Sequence, residues 1–497
     1  MLLKIEKFLN TKWYVIGIIV LTFIFWILQD KSSTSIAISK EPMFFVSLLF
    51  ITVAFTLVAV FFKNTYYLVP IILSAMCIIG VSQRAFSVDF FKEAAYLYVL
   101  AFILFSALIF HIIRYKVKLK VGALTIGLML IAIGYILPFR INEETEPNMV
   151  INIVYTIAGP LYLLLYTFLI STSKEKNPEK YIFVFFMLSI LISAQFIVQY
   201  INCIKEIIDL KQADNIFDAI NYGISKKWSN YGIGFELGYD NINAGSMYLA
   251  FFLPTIVYYI CKKKISWPYV IYFWLVIALV MISASRGGYI GITVSAILCI
   301  VLIFMFGNNQ SKILLVICAV LLITVTLIPF NENKESIFGA IVERVLNSAD
   351  DLEGFSNGRF ELYREAISEF IKSPIVGGGH IHFTDITQEN RPVFYHSTFF
   401  HSIGTMGLFG LGSLVFHIVQ LVKLIKRKWS FEIMIFGVGM LATHIHGLID
   451  NTFYAFYYMI MTIIMYSAIE NTDLSLTTPF KKKVKNVSEE KVVENLE

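Results

Sequence analysis

The stretch WPYVIYFWLVIALVMISASRGGYIGITVSAILCIVLIFMF, residues 267–306, decides the fold. Two unbroken apolar runs, 267–284 and 287–306, flank a short break that carries Ser283, Ser285, Arg286 and the pair Gly287-Gly288. A bilayer core is about 30 Å thick, so roughly 20 mostly apolar residues cross it as a helix. Each run is long enough, and helices are the spanning form that matches long continuous runs. The same pattern recurs along the chain.

Fourteen such runs are readable, near 11–28, 43–62, 66–82, 94–113, 121–139, 150–170, 181–201, 244–260, 267–284, 287–306, 313–330, 397–422, 431–449 and 453–469. Hydrophobic residues make up 57% of the 497, charged residues only 15%, and the mean hydropathy is +0.72. That composition excludes a soluble enzyme and predicts an all-α, polytopic membrane bundle of about 12–14 transmembrane helices. The first run lacks a small-residue cleavage site and is followed by more spans, so it reads as an anchor rather than a signal peptide. Gly159-Pro160 inside the sixth run predicts a bend.

Charge sets the expected orientation, because Lys and Arg accumulate in short cytoplasmic loops. With the N-terminus inside, 24 of the 40 basic residues fall on the cytoplasmic side and 16 outside. Setting aside the long segments 202–243 and 331–396, which obey the rule poorly, leaves 24 against 6. Both termini are therefore expected in the cytoplasm, with SASRGG facing out. The net charge of +5 is a topology signal and gives no reason to expect nucleic acid. The five Cys residues show no C-x-x-C pair, so neither a disulfide framework nor a metal cluster is expected.

The chain divides into N-terminal spans (1–201), an outer loop (202–243), spans carrying the Ser-Arg-Gly stretch (244–330), a large and partly helical outer loop (331–396), C-terminal spans (397–469) and a polar, solvated tail (470–497). Within the large loop, 336–346 has helical spacing. So does RFELYREAISEFIKSP (359–374), with an apolar stripe of Phe360, Tyr363, Ile367, Phe370 and Ile371, Asn357 as N-cap and Pro374 as terminator. Such a helix would lie on the outer membrane face or on the bundle.

Three positions could carry chemistry. Arg286 is a cation where two spans meet; it reads either as an interfacial arginine reaching headgroups or as an anion-binding group. Ser283 and Ser285 serve equally to satisfy backbone groups, and Gly287-Gly288 to let helices approach. Arg359 sits in the first turn of the loop helix, where the macrodipole disfavours a cation; solvent with Glu361 and Glu365 would offset this, and a bound phosphate would reverse it. Arg364 falls on another face. His396, at the mouth of the twelfth run, is an interface residue or a general base. His380, His382, Asp385 and His396, or His444 and His446, could suggest zinc, but spacing alone shows no converging set, and neither metal nor cofactor is expected.

Five stretches, taken in order, resemble the O-antigen ligase and polymerase family of bacterial membrane glycosyltransferases. They are DNINAGSMYLAFFLP (240–254), SASRGG (283–288), NGRFELYREAISEFIKSPIVGGG (357–379), HSTFFHSIGTMGLFGLG (396–412) and HIHGLIDNTFY (444–454). The likeness covers roughly 240–455; the first 200 residues match only as spans. Ser397 stands where the family usually has Asn.

The resemblance implies a glycosyltransferase at the extracytoplasmic face of the plasma (inner) membrane, working in cell-surface polysaccharide assembly. Its donor would be a glycan on polyprenyl pyrophosphate and its acceptor a hydroxyl of a glycan or glycolipid, with polymerase slightly favoured over ligase. Arg286 and Arg359, with Arg364, would bind substrate, and His396 would take the acceptor proton in an inverting, metal-independent transfer. Membrane lipids and other polysaccharide export proteins are the further partners implied. The alternatives are a lipid-oligosaccharide flippase or transporter, for which the sequence shows neither paired halves nor charged span interiors, and a non-catalytic scaffold or receptor, which would need no convergence of Arg286, Arg359 and His396.

Overall fold

A computed structural model describes residues 1–29, 42–78, 95–140, 149–226, 228, 242–329, 336–346, 359–384, 389–392 and 395–478. The expected N-cap Asn357 and the candidate ligand Asp385 lie outside these residues. The described chain is helical apart from one short hairpin. In order come α1 (Leu2–Leu9), α2 (Lys12–Leu28), α3 (Pro42–Phe61), α4 (Val69–Ile78), α5 (Tyr96–Arg114), α6 (Thr125–Ile136), α7 (Met149–Thr172), α8 (Pro178–Asp209) and α9 (Ile216–Lys226). Then follow α10 (Ile242–Lys262), α11 (Trp267–Ile282), α12 (Arg286–Phe306), α13 (Asn309–Leu327), α14 (Ile337–Leu346) and α15 (Arg359–Lys372). Strands β1 (Ile381–Thr384) and β2 (Glu389–Pro392) pair antiparallel, Ile381 opposite Pro392. The chain closes with α16 (Thr398–Arg427), α17 (Phe431–His446) and α18 (Phe456–Asn471).

Each of the fourteen apolar runs overlaps a helix in its described residues. Among the described residues eight helices are long and apolar enough to cross a membrane, nine if α1 and α2, bent by 76°, count as one span. Four shorter apolar helices, among them α11 and α17, accompany them. The chain is thus a polytopic helical membrane protein.

Burial locates the centre. In α10, 89% of the apolar window is buried inside the protein, against 11% in α13, so α10 is the axis and α13 lies at the rim. Small residues let the central helices close up: Gly439 of α17 sits against the Phe251 carbonyl of α10, and Ser295 of α12 donates to Ala250 O at 2.8 Å. Close approach through small residues is how membrane helices gain packing without a hydrophobic driving force.

α7 runs through Pro160 as one continuous helix; Gly159 is where Ala132 and Tyr135 of α6 press closest. Two local readings need revision. α8 extends through IKEIID, past the expected end at 201, because helical hydrogen bonding outlasts the hydrophobic run. Residues 472–478 are not a free tail. Lys428 Nζ donates to Thr472 O at 2.6 Å, and Thr478 Oγ1 to the buried Glu432 at 2.8 Å.

α16 is broken inside. Gly407 has φ +64° and ψ −156°, which interrupts the helix. Unpaired backbone inside a membrane protein must find partners within the protein, and the turn after α15 supplies them. Leu408 N–H donates to Pro374 O (2.9 Å) and Phe409 N–H to Ile375 O (3.1 Å), while Gly378 N–H donates to Gly404 O (2.7 Å) and Gly379 N–H to Thr405 O (3.1 Å). A Cβ on Gly407 would stand 2.6 Å from the Ile375 carbonyl carbon. The glycine-rich turn is therefore a plug that completes a broken helix and fastens the outer loop to it.

Candidate functional site

Three chain ends meet at one end of the bundle: the α11–α12 turn, the start of α15 and the α17–α18 loop with the start of α16. In the first, Ala284 adopts φ +57°, reversing the chain between two spans in one residue. Ser283 Oγ accepts from Ser285 N–H at 3.2 Å, and Ser285 caps α12 by accepting from Gly288 N–H at 3.0 Å. The two serines thus satisfy backbone groups, one of the two readings open from the sequence. Trp228 Nε1 donates to Ile282 O at 2.8 Å, pairing a carbonyl at the end of α11. Arg286 is the first residue of α12 and is half-buried.

The α15 helix lies on the bundle, against α16. Its buried residue is Ala366, packed on Gly404 and Tyr395, with Leu362 beside it. The expected stripe is only partly right: Phe360, Ile367 and Ile371 are exposed. The Tyr363 ring stacks on Phe400 with centroids 4.2 Å apart, and its hydroxyl donates to His396 O at 3.1 Å. Arg364 is exposed and makes no ion pair among the described residues.

His396 precedes the Ser397 cap of α16 and holds φ +45°, a backbone conformation that costs about 1–2 kcal/mol for a residue with a Cβ. Thr398 N–H donates to Gly447 O at 2.8 Å, tying the start of α16 to the end of α17. That tie brings His396 Nδ1 to 3.1 Å from Asp450 Oδ1. Arg359 comes to the same loop from α15: Nη1 donates to Ile449 O at 2.5 Å, and Nη2 stands 3.7 Å from Asp450 Oδ2.

Burial pushes the Asp450 carboxyl up, but the hydrogen bond from His396 and the charges of His396, His446 and Arg359 outweigh it and hold the group well below the usual carboxylate range. An ionised carboxylate only accepts, so His396 Nδ1 donates to it and Nε2 is the ring nitrogen left to take a proton. The His396 side chain is 37% exposed, open to a substrate. The arrangement can therefore take a proton at Nε2 while Asp450 steadies the charge that forms.

Of the expected residues, His396 and Arg359 meet at Asp450. Arg286 is linked to them through its neighbour Gly287, which packs on the His446 ring one turn before Asp450. Arg364 stays apart. Asp450, within the stretch HIHGLIDNTFY, is the site residue that sequence reasoning misses; its signal is a lone acid between two spans, where an ionisable residue is costly. His380 is a core residue: its Nε2 lies 3.2 Å from Tyr135 O, its ring stacks on Tyr135, and burial pushes it down to about 4. Among the described residues no three His, Cys, Asp or Glu side chains converge as metal ligands.

No curated protein matches the chain. The family model described as O-antigen ligase matches residues 271–415, a stretch that holds Arg286, Arg359, Arg364 and His396 and ends before Asp450. The match supports a role of ligase or polymerase type in polysaccharide assembly; over that stretch, less than a third of the chain, the protein is similar to the O-antigen ligase family.

Proposed function

We propose that the protein transfers a glycan from a polyprenyl-pyrophosphate carrier to an acceptor hydroxyl, at the extracytoplasmic face of the plasma membrane. The carrying observation is the convergence of His396 and Arg359 on Asp450 at the end of the bundle where Arg286 also lies. His396 Nε2 takes the proton as the acceptor oxygen attacks the anomeric carbon; the carbon–oxygen bond to the carrier breaks, and the pyrophosphate leaves with the electron pair. Attack opposite the leaving group inverts that carbon. The orientation rests on the basic loops.

Arginine suits the leaving group because it is always charged and donates paired hydrogen bonds to phosphate. Arg286 is assigned one side of the pyrophosphate. Arg359 spends one donor on Ile449 O and keeps others for the second phosphate while it orders Asp450. Arg364, on the exposed face of α15, is assigned a contact to the glycan. General-base help and electrostatic stabilisation are commonly worth about 10²–10⁴-fold and 10²–10³-fold.

Polymerase and ligase share this donor, so the acceptor separates them. A deletion strain that accumulates carrier lipid bearing one repeat unit identifies a polymerase; one that accumulates full-length chains on the carrier identifies a ligase. Normal surface polysaccharide and no lipid-linked intermediate would end the transferase reading.

A further inference from the structure

One buried polar group beside this cluster has no assigned part. The His446 imidazole, at the end of α17, is 1% exposed, and neither Nδ1 nor Nε2 has a hydrogen-bond partner among the described residues. A buried polar group without a partner is costly and uncommon in folded proteins. The ring is held closely: Gly287 and Gly291 of α12 lie against it, and a Cβ on Gly287 would overlap Nε2, the nearest ring atom. Nε2 therefore faces the second residue of α12.

That helix start offers donors. Gly288 N–H is taken by Ser285 Oγ and Tyr289 N–H by Ser285 O, whereas Gly287 N–H is one of the groups that an α-helix start leaves without an intrahelical partner. The helix end carries about half a positive charge, and the Arg286 guanidinium adds a full one. Asp450, one turn beyond His446, does not compete, because His396 and Arg359 hold its carboxylate.

We propose that the start of α12 and His446 form an anion seat for one phosphate of the donor, with His446 Nε2–H and Gly287 N–H donating to it. The proposal rests on the pyrophosphate-donor reading above and adds His446 as a substrate-binding residue; Gly287 is required because a Cβ there would overlap the His446 ring.

The test uses the full-length protein in detergent, titrated with inorganic pyrophosphate by calorimetry and assayed for transfer from a lipid-linked donor. His446→Leu keeps bulk and removes the donor, and should weaken pyrophosphate binding about tenfold and raise KM more than it lowers kcat. His446→Gln, with an amide N–H near the Nε2 position, should stay within about threefold of wild type. Wild-type binding by a monodisperse His446→Leu overturns the seat; if Arg286→Ala then still loses binding, the donor reading stands. Absence of pyrophosphate binding in the wild type overturns both. Should His446→Leu fail to fold, the double variant Gly287→Ala/His446→Ala fills the space with a methyl: weak binding supports the seat, and wild-type binding overturns it.

Discussion

His396 and Asp450, 54 residues apart in sequence, are joined by a 3.1 Å contact between Nδ1 and Oδ1. The contact exists because Thr398 and Gly447 tie the start of one span to the end of another. It fixes the imidazole tautomer, and with it which nitrogen can act as a base.

Asp450→Asn keeps the shape and removes the charge that stabilises a protonated His396. Transfer should fall by about 10²–10⁴-fold in kcat with membrane insertion unchanged. In vitro turnover and immunoblotting of membranes check this. Turnover within threefold of wild type would show that the pair is only structural.

The acid behaviour of Asp450 has a definite sign. Its carboxyl titrates below the usual range in the folded protein, so its stabilising contribution is complete above the ordinary carboxylate value of about 4 and is lost only as pH falls through the lower folded value. The difference in thermal midpoint between wild type and Asp450→Asn should therefore not shrink from pH 8 to about pH 5. A gap that halves over that interval would mean that the carboxylate is not held as described.

Arg359 has two duties that substitution can separate. Arg359→Lys retains a charge near Asp450 but cannot reach Ile449 O and a phosphate with a planar fork. It should fold as wild type yet lose at least tenfold in kcat/KM, and Arg359→Ala should lose more. Equal activity in Arg359→Lys and wild type would reduce the residue to a point charge.

The plug between the glycine turn and the α16 break gives a stability prediction. Gly407→Ala forces a Cβ at φ +64° into the Ile375 carbonyl and should destabilise by about 2 kcal/mol or more, read as a lowered thermal midpoint in detergent. Gly412→Ala, where added atoms meet nothing within 4 Å, should change it little. Equal midpoints for both would contradict the plug.

The helical fold was legible because hydrophobic runs of membrane length have one physical solution; each of the fourteen overlaps a helix in its described residues. The SASRGG turn was legible as a break between spans, although its left-handed Ala284 was not, since alanine gives no sign of positive φ. The buried face of α15 was misplaced because Ala366 packs on a glycine, and a small residue in a close helix crossing carries little hydrophobic signal. Gly407 looked like any glycine in a small-residue helix; the break depends on Pro374–Gly379, about 30 residues earlier. Asp450 escaped as a named residue because its partners are distant in sequence.

The most direct measurement is transfer by the purified protein in the presence of EDTA, using a polyprenyl-pyrophosphate-linked glycan and a hydroxyl acceptor, with wild type compared with His396→Ala. The account predicts inverted product and released polyprenyl pyrophosphate from the wild type, undiminished by EDTA, and at least 100-fold less from His396→Ala. Full-rate transfer by His396→Ala, or transfer that stops when EDTA is added, would contradict it.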